Sequence, residues 1–458
     1  MSYETATIHA GPSLGARRRS LFWRIHFWAA LIASPFALVA TLTGLLYIFT
    51  PQIEARLYGD LERVAPGGQA LALDTLVDAA RRAAPAGFEV QAVVPPAAPT
   101  DALKVGFGKP AAGVGEHAGH GAAPAAAAGP KTATAPRTPE GKLTVFVNPY
   151  DARVLGTQRD QDRFSEWARR LHSRLLQGES LRWMIELAAS WMLVMLLTGV
   201  YLWWPGPGQP GLPRAGARGR SGWRQWHAFL GVLLGVLSLA IVLTGITWSR
   251  YAGQQVRAVR DWAGQDAPKP PAHLHSMPTG GAQLGYQQAW RRAQAEVPGV
   301  PLQLMPPRGP HGVWRAASAD RKHPMNRLDL VLNAYDGSVL YRANWERQTA
   351  FGKATAVGIP FHRGELGVWN QVLLFVFAAG VLFSLVSGWV MFFKRRRAGQ
   401  LGLPKLVPGA WRSAPPLALL LGIALCALMP LLAVSTALLV LVELGLGRAR
   451  MRAQAAAA

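Results

Sequence analysis

Five stretches of the chain carry no Asp, Glu, Lys or Arg: residues 25–53, 187–213, 225–249, 366–393 and 413–442. No other feature restricts the fold as strongly. A helix needs roughly 20 apolar residues to cross a bilayer, and backbone inside hydrocarbon must satisfy its own hydrogen bonds. The first four runs therefore predict membrane-spanning helices. The second ends in a Pro- and Gly-rich tail, so its helix is expected to start before Glu186 and stop near Trp204. The fifth has two readings. A hairpin bent at Pro430 places Arg448, Arg450 and Arg452 inside but leaves two short arms. A single kinked span, which the length favours, is the expectation.

The net charge of +23 raises nucleic acid as a partner. The placement of the charge argues against it. Arg17, Arg18, Arg19 and Arg24 precede the first run, Arg214, Arg218, Arg220 and Arg224 fill the loop before the third, and Lys394, Arg395, Arg396 and Arg397 follow the fourth. Basic residues in short loops beside spans set orientation. All three clusters share one side if the N-terminus is cytoplasmic. The two long segments, 54–182 and 250–365, hold most of the acidic residues and then face outward. The partner this implies is membrane lipid, not nucleic acid. Cys426 is the only cysteine, which excludes disulfides within the chain, thiolate clusters and covalent haem attachment. The first run is too long and too well flanked for a cleaved signal peptide.

The sequence repeats itself. LTG recurs at 42–44, 197–199 and 243–245, with VSG at 386–388. A histidine precedes each: His26, His172, His227 and His362. The separations from histidine to glycine are 18, 27, 18 and 26, so runs one and three match, as do two and four. Between them, DTLVDAARRAAP and GYQQAWRRAQAEVPG read as helices. FEVQAVV, ALKVGFG, LTVFVNPYDARVLG and LDLVLNAYDGSVLY read as strands, the last two as hairpins around Pro/Asn/Asp/Gly turns. Each half is thus a span, a small outer α+β domain, a histidine and a span back. Residues 108–141 form an Ala-, Gly- and Pro-rich insert, expected to be flexible. Its GEHAGHG (115–121) lacks the rigid frame that a metal site needs.

Depth follows from this topology. His26 and His227 fall near the cytoplasmic face, His172 and His362 near the outer one. Eighteen residues at about 1.5 Å carry Gly44 and Gly245 roughly 27 Å from their histidines. Gly199 and Gly388 return to the inner level. Two layers result, each with two histidines and two glycines. Lone interfacial histidines are commonly only amphipathic residues, but four in matched pairs suit two axially ligated haem irons. The glycines would let a flat macrocycle approach the backbone. Arg169, Arg170 and Arg363 would meet propionates at the outer site. Zinc or copper fits less well, because coordination stays short. His9, His273, His275, His311 and His323 have no repeat partners and are expected on the surface. HLH at 273–275 remains able to touch a metal-bearing substrate.

The stretches RRSLFWRIHFWAALIASPFALVATLTGLLYIF, DARVLG, DGSVLY, RLHSRLL, WHAFLGVLLGVLSLAIVLTG and FHRGELG resemble the PepSY-associated transmembrane proteins, over nearly all of residues 17–397. That resemblance implies a bacterial inner-membrane helical bundle, with four core transmembrane helices plus a C-terminal hydrophobic segment. It adds two α+β PepSY-like periplasmic domains related by internal duplication. The segments run 1–24 (cytoplasmic), 25–50 (span), 51–165 (outer domain), 166–204 (histidine and span) and 205–224 (loop). The second half follows as 225–249 (span), 250–357 (outer domain), 358–393 (histidine and span), 394–412 (basic loop) and 413–447 (tail). Family members include iron-regulated inner-membrane proteins and ferric-siderophore reductases with b-type haem. The resemblance implies haem b on His26, His172, His227 and His362 and a ferric siderophore as electron acceptor. No strand-linked G-x-G-x-x-G occurs, so the donor is expected to be separate, either quinol or a cytoplasmic flavoprotein. No acid–base or nucleophilic constellation stands out; Glu186, near the outer end of the second span, either tunes the outer site or only meets the interface. Two other classes stay open. One is a membrane-anchored module binding a peptide or protein; the other is a transporter, which the lack of broken midplane helices disfavours.

Overall fold

The computed structural model describes residues 11–109, 141–204, 211–396 and 402–457. Residues 110–140 of the expected insert, with GEHAGHG, lie outside them, as do His9 and Arg397. In chain order the helices are α1 (Leu14–Ile48), α2 (Thr50–Leu57), α3 (Gly59–Glu62), α4 (Leu73–Ala83), α5 (Phe164–Arg174), α6 (Arg182–Trp203) and α7 (Gly219–Leu233). They continue as α8 (Gly235–Ile246), α9 (Ala252–Trp262), α10 (Tyr286–Glu296), α11 (Ala350–Arg363), α12 (Val368–Arg395), α13 (Pro416–Leu428) and α14 (Pro430–Ala457). The strands are β1 (Glu89–Val94), β2 (Leu103–Gly108), β3 (Leu143–Val147), β4 (Val154–Arg159), β5 (Leu302–Met305), β6 (Val313–Ser318), β7 (Asp329–Asn333) and β8 (Val339–Ala343). The chain divides into two compact units, one of residues 1–45, 172–259 and 373–458, the other of 46–171 and 260–372.

The first unit is helical. α1, α6, α12 and α14 are each long and apolar enough to cross a membrane. Small side chains set their packing: Ala29 and Ala33 of α1 are fully buried beside Trp191 of α6 and Val242 of α8. Large apolar residues such as Val236 and Leu417 lie bare on the outside, which is the surface that lipid covers. The third expected span, 225–249, is corrected. It is two helices, α7 and α8, bent by 58° at Leu234, and α7 starts early at Gly219. Glycines at 231 and 235 weaken the helix there. Leu234 lodges in a notch of α12, where a Cβ on Gly380 would lie 2.0 Å from its Cδ1.

The tail is corrected as well. The Arg18 guanidinium donates to the Ser413 carbonyl at 3.1 Å, and Arg24 pairs with Glu443 at 2.7 Å. Both ends of the 413–443 segment therefore lie at the same end of α1, so it enters and returns rather than crossing once. α13 and α14 pack on one another across a break at Met429. The uncharged arms span about 20 Å each, against a hydrocarbon core of about 30 Å. Length favoured a single span; the Arg24–Glu443 pair, together with Trp28 donating to Glu443 and Trp191 to Ser435, overrides it.

The second unit is an antiparallel sheet of order β4-β3-β2-β1-β5-β6-β7-β8 with α4 and α10 packed against it. Two outer domains, at 51–165 and 250–357, were expected. The structure joins them into one sheet and one core, because β1 pairs with β5 at Val93–Leu304. Alternation decides the buried face: Leu103, Val105 and Phe107 of β2 point into the core with Leu302 and Leu304 of β5. Leu73, Leu76, Val77 and Ala80 give α4 its apolar stripe, and Ala289 and Ala293 serve α10.

Two details recur in both halves of the sheet. The β3–β4 and β7–β8 turns use the same bonds. Asn148 and Asn333 accept from the amides of Tyr150 and Tyr335, and Asp151 and Asp336 accept from those of Arg153 and Ser338. Both turns pass through a left-handed residue, Ala152 (φ 58°) and Gly337 (φ 71°). The N-termini of α4 and α10 also cap each other. The Asp74 carboxylate accepts from the amides of Tyr286 and Gln287 at 2.7 and 3.1 Å, while Gln287 accepts from that of Leu73 at 3.0 Å. Residue 285 must be glycine here, since a Cβ would lie 2.5 Å from Asp74 Oδ1.

Candidate functional site

The helices of the first unit bring His26 of α1 and His227 of α7 together. Their ring centroids are 6.4 Å apart and their planes are nearly perpendicular, at 87°. Each ring is anchored from behind by a neighbouring helix. His26 Nδ1 lies 3.0 Å from Thr198 Oγ1 of α6. His227 Nδ1 lies 3.1 Å from the Ser384 carbonyl and 2.9 Å from Ser387 Oγ of α12.

These partners decide the tautomers. A carbonyl can only accept, so His227 Nδ1 carries the proton. Thr198 Oγ1 already donates to the Val194 carbonyl at 2.7 Å, so it too accepts from a protonated Nδ1. Nε2 of both rings is left with a lone pair. Such anchoring of the second ring nitrogen is what metal-ligating histidines show. The 6.4 Å separation of the ring centroids brings the two imidazoles within reach of a single metal ion.

The pair faces a cavity of about 330 Å³, in the range of small-molecule pockets. Its walls are apolar and aromatic, including Trp23, Phe27, Met195, Trp389 and Phe392. Arg19, Arg220, Arg224 and Arg395 line its end nearest the basic loops. The Arg395 guanidinium lies 5.6 Å from the Trp23 ring and 5.3 Å from that of Phe27. The arrangement can therefore hold a flat apolar body carrying anionic groups at one edge, with a metal between the imidazoles.

Residues 23–395 match the family model of the PepSY-associated TM region. The chain belongs to that family. It is accordingly a membrane protein. Comparison with curated proteins returns no significant match. The matched stretch of this PepSY-associated protein includes all four histidines and the whole sheet, and it ends before α13 and α14.

His172, at the C-terminal end of α5, repeats the inner arrangement. Its Nδ1 lies 3.0 Å from Thr43 Oγ1, which donates to the Val39 carbonyl at 2.7 Å. His362 ends α11 in the other unit. Gly245 lies at the C-terminal end of α8. The expected propionate partners are all engaged by protein groups. Arg169 and Arg170 meet Glu166, Arg170 also bonds the Gln161 carbonyl, and Arg363 holds Glu365 at 2.8 Å and Tyr47 at 2.9 Å. Glu186 is buried on α6 and caps α9, accepting from the amides of Tyr251 and Ala252 at 3.0 and 2.7 Å.

At three of the expected glycine positions an imidazole lies close to the helix backbone. A Cβ on Gly199 would lie 3.4 Å from His26 Cε1, one on Gly44 3.4 Å from His172 Cε1, and one on Gly388 3.8 Å from His227 Cε1. The residue before each glycine supplies the hydroxyl that holds Nδ1. Those hydroxyls, Thr43, Thr198 and Ser387, were missed from sequence although LTG and VSG displayed them. The inner arginines were also missed, because a positive-inside signal accounts for the same residues.

Proposed function

We propose that this PepSY-associated protein carries electrons across the bacterial inner membrane to an outer acceptor, and that the acceptor is ferric iron held by a siderophore. The observation that carries this reading is the His26–His227 pair, with both Nδ1 atoms anchored and both Nε2 atoms left to bind metal. The donor set fits haem b: two neutral imidazoles, apolar walls and arginines at one end. His26 and His227 would hold the iron, and Arg19, Arg220, Arg224 and Arg395 would meet the propionates. Haem iron, when bound, supplies one-electron exchange between its ferric and ferrous states.

The chain's own residues do the rest. Thr198, Ser384 and Ser387 fix ring orientation and tautomer. The aromatic walls exclude water, which tunes the potential through the local dielectric. His172, seated in the same manner, is a further ligand candidate, and the repeat of spacings in the sequence extends that reading to His362. The matching turns and mutual helix caps support an origin by duplication. This reading takes the N-terminus as cytoplasmic and segments 54–182 and 250–365 as periplasmic, as the basic loops suggest. The donor is a separate quinol or flavoprotein. Reduction aids iron release because hard oxygen chelators hold Fe(III) better than Fe(II).

The test is the visible spectrum of the purified full chain, oxidised and dithionite-reduced, with haem counted as pyridine haemochrome. The expected result is about two b-type haems per chain, falling to about one in both His227→Ala and His172→Ala. Well-folded protein without haem would sink the redox reading and leave partner binding by the sheet unit.

A further inference from the structure

The sheet unit contains a second close pair of imidazoles. His275 and His311, far apart in sequence and both expected as isolated surface residues, have ring centroids 6.4 Å apart with planes at 80°. His275 Nδ1 lies 2.7 Å from the His273 carbonyl, and His311 Nδ1 lies 3.2 Å from the Ser276 carbonyl. Carbonyls only accept, so both Nδ1 atoms carry protons and both Nε2 atoms keep their lone pairs. Both side chains are open to solvent.

The backbone that presents them is fixed on both sides. The Ser276 amide donates to the His311 carbonyl at 3.0 Å, closing a reciprocal link between the two stretches. Ser276 is fully buried, and its hydroxyl accepts from the Ala334 amide at 2.8 Å. On the other side, Tyr335 donates its hydroxyl to the Pro310 carbonyl at 2.8 Å. The turn before His311 requires glycine at 312, where a Cβ would lie 2.3 Å from the Arg308 amide nitrogen. This rigidity distinguishes the pair from two histidines on a loose loop.

We propose that His275 and His311 bind a divalent first-row transition-metal ion through their Nε2 atoms. Imidazole suits copper, zinc, nickel and iron, whereas calcium and magnesium take oxygen ligands. No group of three or more His, Cys, Asp or Glu able to hold a metal occurs among the described residues. Two imidazoles leave coordination positions open to water or to a chelator's donors. That is the character of a site that exchanges its ion, in contrast to a closed four-ligand structural site. The site is independent of the membrane cavity.

Copper(II) is the probe, since it binds nitrogen donors most strongly in its series. The purified full chain is titrated with copper(II) and followed by electron paramagnetic resonance. Expected are one copper per chain at this site, nitrogen splitting from two imidazoles, and affinity at least tenfold weaker in His275→Ala and in His311→Ala. The His117→Ala/His120→Ala background removes the histidines of the insert and is expected to leave this signal intact. Because His311 also ties its turn to Ser276, His311→Gln serves as the second variant, with an unchanged thermal midpoint confirming its fold. Two-nitrogen copper binding that persists in His275→Ala/His311→Ala, or in folded His311→Gln, overturns the proposal.

Discussion

At the residue scale, the site depends on pairs of adjacent side chains: a hydroxyl that holds the imidazole nitrogen and a glycine that leaves room for the ring. Thr198→Val keeps the shape of the side chain and removes the acceptor for His26 Nδ1. Loss of such a partner typically costs about 10- to 100-fold in metal affinity. On the proposed haem reading, the expected outcome is folded protein that loses haem on dilution faster than wild type. Gly199→Ala probes the other half of the pair, since its new methyl would lie in van der Waals contact with His26 Cε1 at 3.4 Å. It is expected to alter the low-spin haem resonance signal, whereas Gly422→Ala, with nothing within 4 Å, is expected to leave it unchanged. The closeness of His26 and His227 was legible because the spacing repeats. The hydroxyls lay in the repeated tripeptides but were overlooked, because a threonine in an apolar helix carries no period of its own. The His275–His311 pair was invisible to spacing, since folding alone joins two unrelated turns.

At the element scale, ends and breaks depart most from sequence expectation. α6 runs from Arg182 to Trp203, where the charge pattern places it. The break at Leu234 and the return of the tail depend on tertiary partners, Gly380 for one and Arg24 for the other, that no local rule exposes. The Arg24 side chain has no solvent exposure and Glu443 has 10 %. Glu443→Leu would leave a buried guanidinium without its counter-charge, a loss of about 3–5 kcal/mol in comparable cases. The expected readout is a lower thermal midpoint in detergent. No loss of stability would show that the tail does not pack against α1 in the membrane. Mutual capping makes a parallel prediction for the sheet unit. Asp74→Ala strands two amides of α10 and is expected to cost about 1–3 kcal/mol. Faster amide hydrogen exchange in the first turn of α10 would report it.

At the scale of the whole molecule, acid sensitivity is expected to arise in the sheet unit. Burial works to raise the Glu54 carboxyl, but Arg163 at 2.7 Å and the Ser165 amide at 2.8 Å outweigh it and hold the carboxyl below its usual range. A folded value below the unfolded one, about 4.3 for glutamate, contributes stability above that pH and loses it as pH falls through the folded value. Asp329 acts in the opposite sense. Burial raises it, so its contribution is present below the unfolded aspartate value and is lost as pH rises through the folded one. Glu54→Gln is therefore expected to flatten the acid limb of stability against pH, and Asp329→Asn to relieve the cost on the neutral side. Thermal midpoints between pH 3 and 7 would check both. The alternating apolar runs foretold strands, but not that two domains would share one sheet, since a single β1–β5 pairing decides that.

The joined sheet also imposes an order on biosynthesis. β1 to β4 are complete long before β5 is made, about 140 residues later. At roughly 5–20 residues per second, the first half-sheet waits on the order of seven to thirty seconds with the β1 edge bare and Asp74 facing no helix. An open edge strand is a template for wrong partners. A nascent chain stalled after α6 should therefore be the species that chaperones and proteases of that compartment meet, and the arrival of Gln287 and Leu304 is what ends the exposure.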